Sequence, residues 1–332
     1  MAVVGVGTTG SHAARQLTQL ALASLVIDDD DRRREARVAK AVATTLGRDA
    51  IGRGLSDHRD HPDVVVLCTP AGTHHRLATI WLQRGAHVVS ISDDPEEVAA
   101  LLDLDAVARQ HDRALVAGAG FAPGLSCVLA RFAALDLDAV EVISVYTAGT
   151  GGPACARQHH RALKRPGRDW IDGEWVLRRG GSGRDLAWFP DPFGARDCYR
   201  GALASPLLLQ RVFPEARRIS ARIAASRRDR LTIRLPMLRP PHRDGGPGGI
   251  RVEVRGRRAD AVETRILGVM DHPSVAAGTM AAVAVAEVLD GRIGAGASGL
   301  ADHDDPKRLL RELRRRGVRA AEFSGVPEIA GA

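Results

Sequence analysis

Val3-Val4-Gly5-Val6-Gly7-Thr8-Thr9-Gly10 opens the chain, and Ser11 to Leu22 follows with apolar residues at helical intervals: Ala13, Ala14, Leu17, Leu20 and Ala21. A short apolar run that enters a G-x-G-x-x-G spacing and leaves in a helical pattern predicts strand, tight turn and helix. Each glycine has its own task. Gly5 permits the turn, Gly7 lets backbone approach a pyrophosphate with no Cβ in the way, and Gly10 lets helix and strand pack closely. The amides at the helix start, at Thr8 and Thr9, then face the phosphates. A second apolar run, Leu25-Val26-Ile27, ends in Asp28, 23 residues beyond Gly5. There a dinucleotide-binding fold sets the carboxylate that accepts hydrogen bonds from the adenosine ribose. Strand, glycines, helix, second strand and acid in that order favour a dinucleotide site over a glycine-rich turn in some other α/β sheet.

The next residues bear on cofactor choice. Asp29-Asp30-Asp31 is followed by Arg32-Arg33-Arg34. A carboxylate at the strand end repels a 2′-phosphate and favours NAD, whereas arginines just beyond it could hold that phosphate in NADP. Asp29 could take the role given to Asp28, and the reading is NAD or NADP with a lean to NAD.

At 332 residues, with 45% apolar and 26% charged residues, the chain has the make-up of a globular protein large enough for two cores. No run is long or apolar enough to span a membrane, and Met1 to Val6 is too short for a signal-peptide apolar region, so a cytoplasmic location is expected. Only four residues precede Gly5, so Met1 need not be the true start. Cys68, Cys127, Cys155 and Cys198 are widely spaced with no C-x-x-C pair, which reads as buried reduced thiols, with neither metal nor disulfide expected. The net charge of +7 is concentrated between Ser126 and Met270, where 26 Arg/Lys face 15 Asp/Glu. No nucleic-acid module accompanies that excess, so a domain handling a carboxylate-bearing small molecule is the economical account, with no nucleic-acid or membrane partner.

Further along, Asp63 to Cys68 is a continuous apolar run of the kind a parallel strand covered on both faces requires. It opens into Thr69-Pro70-Ala71-Gly72-Thr73-His74-His75, and ligands in such sheets lie beyond the carboxyl ends of the strands, so Cys68, Thr69 and Pro70 are expected near the cofactor. His74 and His75 could bind substrate, but a helix-start role fits them better. The strand Ala86 to Ile91 ends at Ser92-Asp93-Asp94-Pro95-Glu96-Glu97, which predicts a helix with Asp94 as N-cap, Pro95 at N1 and Glu97 reaching back. Asp93, free of capping duty, is the candidate catalytic carboxylate. Ala114 to Ala117 leads into Gly118-Ala119-Gly120-Phe121-Ala122-Pro123-Gly124, a rigid turn that brings Gly120 and Phe121 to the same side of the sheet as Gly5 to Gly10.

Taken together, Gly5-x-Gly7-x-x-Gly10, Cys68-Thr69-Pro70, His87 to Asp93 and Gly118 to Leu125 resemble the saccharopine dehydrogenase-like oxidoreductases. The resemblance covers Ala2 to Arg131 well and the last sixty residues weakly, and the G-x-G-F-x-P-G element is its most specific part. It implies a nicotinamide-dependent enzyme that reduces an imine formed from an amine and a 2-oxo acid, or oxidises the reverse product. Many relatives carry aspartate where Ser90 stands, and Asp93 is a substitute for it here.

The middle segment reads differently. Val140 to Thr147, Ile219 to Ala224, Leu231 to Leu235, Ile250 to Val254 and Val262 to Val269 are strand-like, and the clear alternation of Ile250 to Val254 predicts an antiparallel sheet with one wet face. Pro236 to Gly249 predicts a long mobile hairpin loop. Six of the twelve aromatics fall between Arg165 and Arg200, suggesting a shaped pocket or a subunit contact. His159-His160 lies on a predicted helix, and His160 is taken as the candidate proton donor, a surface histidine being the plain alternative. Ser274 to Leu289 is an alanine and valine helix able to lie close against another element, and by resemblance it returns to the first domain.

The expected fold is α/β, a Rossmann-like doubly wound parallel sheet with an inserted α+β substrate domain. Residues 1–125 would form the dinucleotide-binding domain, 126–270 the substrate domain and 271–332 the returning helices, in a homodimer. The expected function is NAD(P)-dependent hydride transfer to or from a small carboxylated amine or imine. The alternatives are an NAD(P)-binding module without turnover and a dehydrogenase of the glucose-fructose oxidoreductase type. The latter is weakened because Ser92-Asp93-Asp94 stands where Glu-Lys-Pro is expected.

Overall fold

The computed structural model describes residues 1–46, 51–52, 61–191, 193–237 and 241–323. The first half alternates strand and helix: β1 (Ala2–Val4), α1 (Thr8–Leu17), β2 (Val26–Asp28), α2 (Arg32–Leu46), β3 (Ile51–Gly52), β4 (Val64–Leu67) and α3 (His74–Gln83). It continues with β5 (His87–Ser90), α4 (Pro95–Leu102), α5 (Asp105–Gln110), β6 (Ala114–Val116) and α6 (Leu125–Ala134). Then come β7 (Ala139–Ala148), α7 (Pro153–Lys164), β8 (Gly167–Ile171), β9 (Glu174–Arg178), β10 (Asp185–Phe189), β11 (Gly194–Arg200), α8 (Ser205–Val212) and β12 (Arg218–Ala224). The chain closes with α9 (Arg227–Leu231), β13 (Gly248–Arg258), β14 (Ala261–Asp271), α10 (Pro273–Leu289), β15 (Gly296–Ser298), α11 (Pro306–Arg315) and β16 (Ala320–Phe323).

Seven strands form one all-parallel sheet in the order β15-β6-β5-β4-β1-β2-β3. The order reverses at β1, where the chain leaves for β2 on one side and β4 on the other, and in such sheets the crevice at the reversal is where ligands bind. The uniformly apolar strands follow from burial on both faces: Val64 to Leu67 are wholly inaccessible. The second sheet runs β10-β11-β12-β7-β13-β14-β16 with β8 and β9 attached to β12. It is antiparallel except for the β12–β7 pair. This is the Rossmann-like architecture with an inserted domain, because β15, after the second sheet, returns to the first beside β6.

Helix α10 joins the two units. Nearly every side chain on it is buried, as expected of a helix apolar all round. Gly278 is where it meets α1: a Cβ there would lie 2.6 Å from Ala13 N, so the small residue sets the distance between the helices. Buried Met280, Val283 and Val285 belong to the same core as Val3, Val66, Leu129 and Val252. Each contributes about 1.5–3 kcal/mol by leaving water.

Three expectations for the middle segment are corrected. Leu231 to Leu235 is not a strand. Ser226 and Asp229 form a reciprocal capping box that starts α9, which ends at Leu231. Leu231 and Leu235 stay exposed, with no sheet face to bury their alternation. The loop before β13 therefore closes no hairpin, and among its described residues 241–247 docks against the α7 start, Gly246 N donating to Thr150 O at 3.2 Å. The aromatic concentration builds no pocket at the cleft: Trp170 meets Trp175 edge-on, Phe189 meets Phe193 likewise, and Trp188 is 59% exposed. Among the described residues, no helix is long and apolar enough to cross a membrane, and all four cysteines are free.

Candidate active site

A cleft of about 1020 Å³ runs from the glycine turn between β1 and α1 to the start of α7. Each glycine of the turn is used differently. Gly5 has φ +85°, and its N donates to Asp28 O at 2.8 Å. A Cβ on Gly10 would lie 1.9 Å from Gly5 O, so strand and helix could not meet as they do. A Cβ on Gly7 would meet nothing within 4 Å, because that side opens into the cleft. Gly7 is the N-cap of α1, no side chain caps the helix, and no acid stands in its first turn. An uncapped helix start beside an open backbone suits a pyrophosphate. The turn fits a dinucleotide.

The two adjacent acids separate by role. Asp29 is buried, and its carboxylate accepts from Val6 N at 2.7 Å, Asp31 N at 2.8 Å and Arg34 Nη2 at 2.6 Å. Burial works to raise its pKa, but these bonds outweigh it and hold the group below the usual carboxylate range. Asp29 thus fastens the glycine turn to the end of β2. Asp28, the last residue of β2, lines the cleft. Of the arginines, Arg34 is committed to Asp29 and Arg32 to Glu35 at 2.7 Å, while Arg37 lines the cleft.

On the other side of β1, Cys68, Thr69, Pro70, Gly120 and Phe121 line the cleft, together with Thr8 and Thr9. The loop of Thr69 is held from behind by His74, which is fully buried. His74 Nε2 lies 2.8 Å from Thr69 O and Nδ1 lies 2.7 Å from Ser90 Oγ. A carbonyl only accepts, so Nε2 carries the proton and Nδ1 takes the serine hydroxyl. Burial lowers the pKa of this ring and keeps it neutral. Ser90 faces this histidine inside the fold and away from the cleft, which leaves Asp93 as the cleft carboxylate after β5.

Asp94 caps α4 as expected, accepting from Glu96 N and Glu97 N with Pro95 following. Glu97 does not reach back to it. Its carboxylate accepts from Gly72 N and His74 N, both at 2.8 Å, and from Ser92 Oγ at 2.7 Å, because two donors brought by tertiary packing and one nearby hydroxyl outcompete one local amide. The free oxygen of Asp94 binds Arg165 at 2.6 Å and Gln158 at 3.0 Å, and Arg165 also pairs with Glu96, so the start of α4 is clasped to α7 across the cleft edge.

Helix α7 begins at the cleft behind Gly152 and Pro153 and presents Cys155, Arg157, His159 and Arg161 to it. His160 is turned away: its Nε2 donates to Leu235 O at 2.9 Å. One residue of helical rotation separates the two, so the histidine that faces Asp93 is His159. Its Nε2 lies 3.6 Å from Cys155 Sγ, and one donor atom each from Asp93, Cys155 and His159 lie within 4.8 Å of one another. Burial raises the Asp93 pKa, lowers that of His159 and pushes the Cys155 thiol up to about 12. Arg157 and Arg161 stand one turn apart on the same helix, and Arg243 comes from the docked loop, whose carbonyl takes the Thr8 hydroxyl at 3.4 Å. Sequence alone offers His159 as one of two histidines on this helix and leaves Cys155 as a buried thiol with no link to it. The available signal was the four-residue spacing on a helix whose start Pro153 announces.

Residues 1–119 match a family described as "Oxidoreductase family, NAD-binding Rossmann fold". A search of curated proteins finds no match. Among solved structures the chain is similar to saccharopine dehydrogenase (L-Glu forming) from Saccharomyces cerevisiae, at 15% identity and a TM-score of 0.71, covering 97% of this chain and 99% of that one. Two others are the amine dehydrogenase of Mycobacterium smegmatis, at 12% identity, TM-score 0.48 and coverage of 91% and 94%, and the DAP dehydrogenase of C. glutamicum, at 14%, 0.46, 96% and 98%. The amino-terminal unit thus has the Rossmann fold that this oxidoreductase family model describes, and the whole chain shares the fold of the yeast saccharopine dehydrogenase.

Proposed function

We propose that this chain is an NAD(P)-dependent oxidoreductase acting on a small carboxylated amine or imine, with hydride passing directly between nicotinamide and a substrate carbon held against it in the cleft between the two sheets. The observation that carries the reading is the continuity of that cleft: one space is lined by Gly7 and Asp28 at one end and by Asp93, Arg157, His159 and Arg161 at the other. When bound, the nicotinamide would give or take the hydride. Gly5, Gly7, Thr8, Thr9 and Gly10 would hold the diphosphate, Asp28 the ribose, and Cys68, Thr69, Pro70, Gly120 and Phe121 the nicotinamide half. Arginine forks suit a carboxylate, and Arg157, Arg161 and Arg243 are the candidates to receive it. Asp93 orients the nitrogen-bearing carbon. His159, in place of His160, faces the same point. NAD is favoured over NADP because Asp28 stands where a 2′-phosphate would come, while Arg32 and Arg34 are already paired with acids.

The test is direct: purified protein is incubated with NADH or NADPH and a panel of 2-oxo acids paired with amines, and loss of reduced nicotinamide is followed. Turnover is expected with at least one carboxylated pair and none with decarboxylated analogues. Cofactor binding without turnover across the panel would instead favour a binding module.

A further inference from the structure

The cluster of Asp93, Cys155 and His159 has a geometry that hydride transfer alone does not explain. Cys155 and His159 sit one helical turn apart on α7, and Asp93 approaches from the first sheet, so the three donors come from both walls of the cleft. The Cys155 Sγ to His159 Nε2 distance is 3.6 Å. Two ligands at zinc distances, about 2.3 Å for sulfur and 2.0–2.1 Å for nitrogen, stand about 3.6 Å apart at a tetrahedral angle. An S–H donating to the ring nitrogen would give a similar separation, so Asp93 decides between the two. Its carboxylate lies within 4.8 Å of both partners yet forms a hydrogen bond with neither, and its own backbone is the sole donor to it among the described residues. A proton relay would draw carboxylate and imidazole into hydrogen-bond contact. A carboxylate held within 4.8 Å of a thiol–imidazole pair, yet bonded to neither member, describes a site for something between the three.

We propose that Asp93, Cys155 and His159 bind a divalent zinc-type ion in the cleft. One sulfur, one imidazole nitrogen and one carboxylate oxygen form a borderline-soft set that suits zinc and does not suit magnesium or calcium, which take oxygen ligands. Three protein ligands leave the fourth position open, the arrangement of catalytic rather than structural zinc. That open position faces the cleft, where a bound ion would polarise the C=N or C=O of the substrate. This role rests on the oxidoreductase reading above; occupancy of the site does not. Because its ligands come from both units, the ion would also tie the two walls together, beside the Asp94–Arg165 clasp.

The experiment measures metal without measuring turnover. Full-length protein is loaded with zinc, dialysed and analysed for metal content, and a second sample is loaded with cobalt(II) for absorption spectroscopy. The expected result is stoichiometric zinc in the wild type and a cobalt spectrum with tetrahedral visible bands and a thiolate charge-transfer band. Cys155→Ser should abolish that band, His159→Ala should lower metal affinity at least tenfold, and Cys198→Ser should change neither. Quenching of variant fluorescence by NADH checks that the variants remain folded, and the wild-type cobalt spectrum needs no variant at all. Sub-stoichiometric zinc, a cobalt spectrum without the thiolate band, or spectra unchanged in Cys155→Ser and His159→Ala would overturn the proposal. Metal-free protein that still turns over would overturn the polarising role of the ion and leave the oxidoreductase reading. Metal-bound protein inactive on every pair would do the reverse.

Discussion

Two helices begin at the cleft, α1 at Thr8 and α7 at Pro153, each behind a glycine N-cap and each without a side-chain cap. Beyond that shared start they differ. Helix α1 offers backbone: its glycines exist to remove side chains, and its neighbouring acid, Asp29, is used to hold the turn. Helix α7 offers side chains: a thiol and an imidazole one turn apart, Cys155 and His159, and a second pair one turn apart, Arg157 and Arg161, all lining the cleft. Any dinucleotide presents the same diphosphate, so a backbone cradle serves every case. A substrate presents its own chemistry, so the facing wall has to be built of side chains chosen for it.

The comparison can be tested from its most rigid point outward. Gly10→Ala puts a Cβ 1.9 Å from Gly5 O, where no flexible atom can yield. The expected loss is at least about 3 kcal/mol, read by denaturant unfolding; a stable variant would mean the turn is looser than described. Gly7→Val should leave unfolding unchanged, since its side chain enters open space. It should weaken NADH binding by roughly 100-fold, about 2.7 kcal/mol, in a fluorescence titration, and an unchanged Kd would place the diphosphate elsewhere.

On the α7 wall, Arg161→Ala should raise KM for a carboxylated substrate by about tenfold, the value of one charge-assisted contact, with cofactor Kd unaltered. Loss of cofactor affinity in that variant would blur the division between the walls. Asp28→Ala should cost a few-fold in NAD affinity and little in NADP affinity, on the order of 1 kcal/mol for one hydrogen bond to a charged group; equal losses would shift cofactor choice to Arg37. The smallest effect is expected for Arg165→Ala. Arg165 is a partly exposed partner of Asp94, so stability should fall by less than about 1 kcal/mol, while KM rises modestly as the clasp between α4 and α7 loosens.

Legibility along the chain follows the same division. The Gly5 to Gly10 spacing, the N-cap at Asp94 and the apolar strand at Val64 to Leu67 are set by neighbours a few residues away, and each is readable as a local pattern. Glu97 fails that test. Its position predicts a reach back to Asp94, yet its partners Gly72 and His74 arrive from more than twenty residues upstream. Leu231 to Leu235 fails for a related reason, because an alternating pattern makes a strand only where a sheet edge waits to receive it. For His159 and His160 the helix was legible, but which of the two faces the cleft depends on how α7 is rotated against the first sheet.

What the sequence determined by itself was the cradle: turn, helix start and strand-end acid all lie within 28 residues, and their geometry follows from glycine's missing Cβ and the fixed pitch of a helix. The meeting of Asp93 with Cys155 and His159 was decided by tertiary structure alone. Asp93 follows β5 of the first sheet, the other two lie on α7 about sixty positions later, and no local energy term links them. They come together because α10 packs on α1 through Gly278, fixes the second unit against the first, and so turns one face of α7 toward the end of β5.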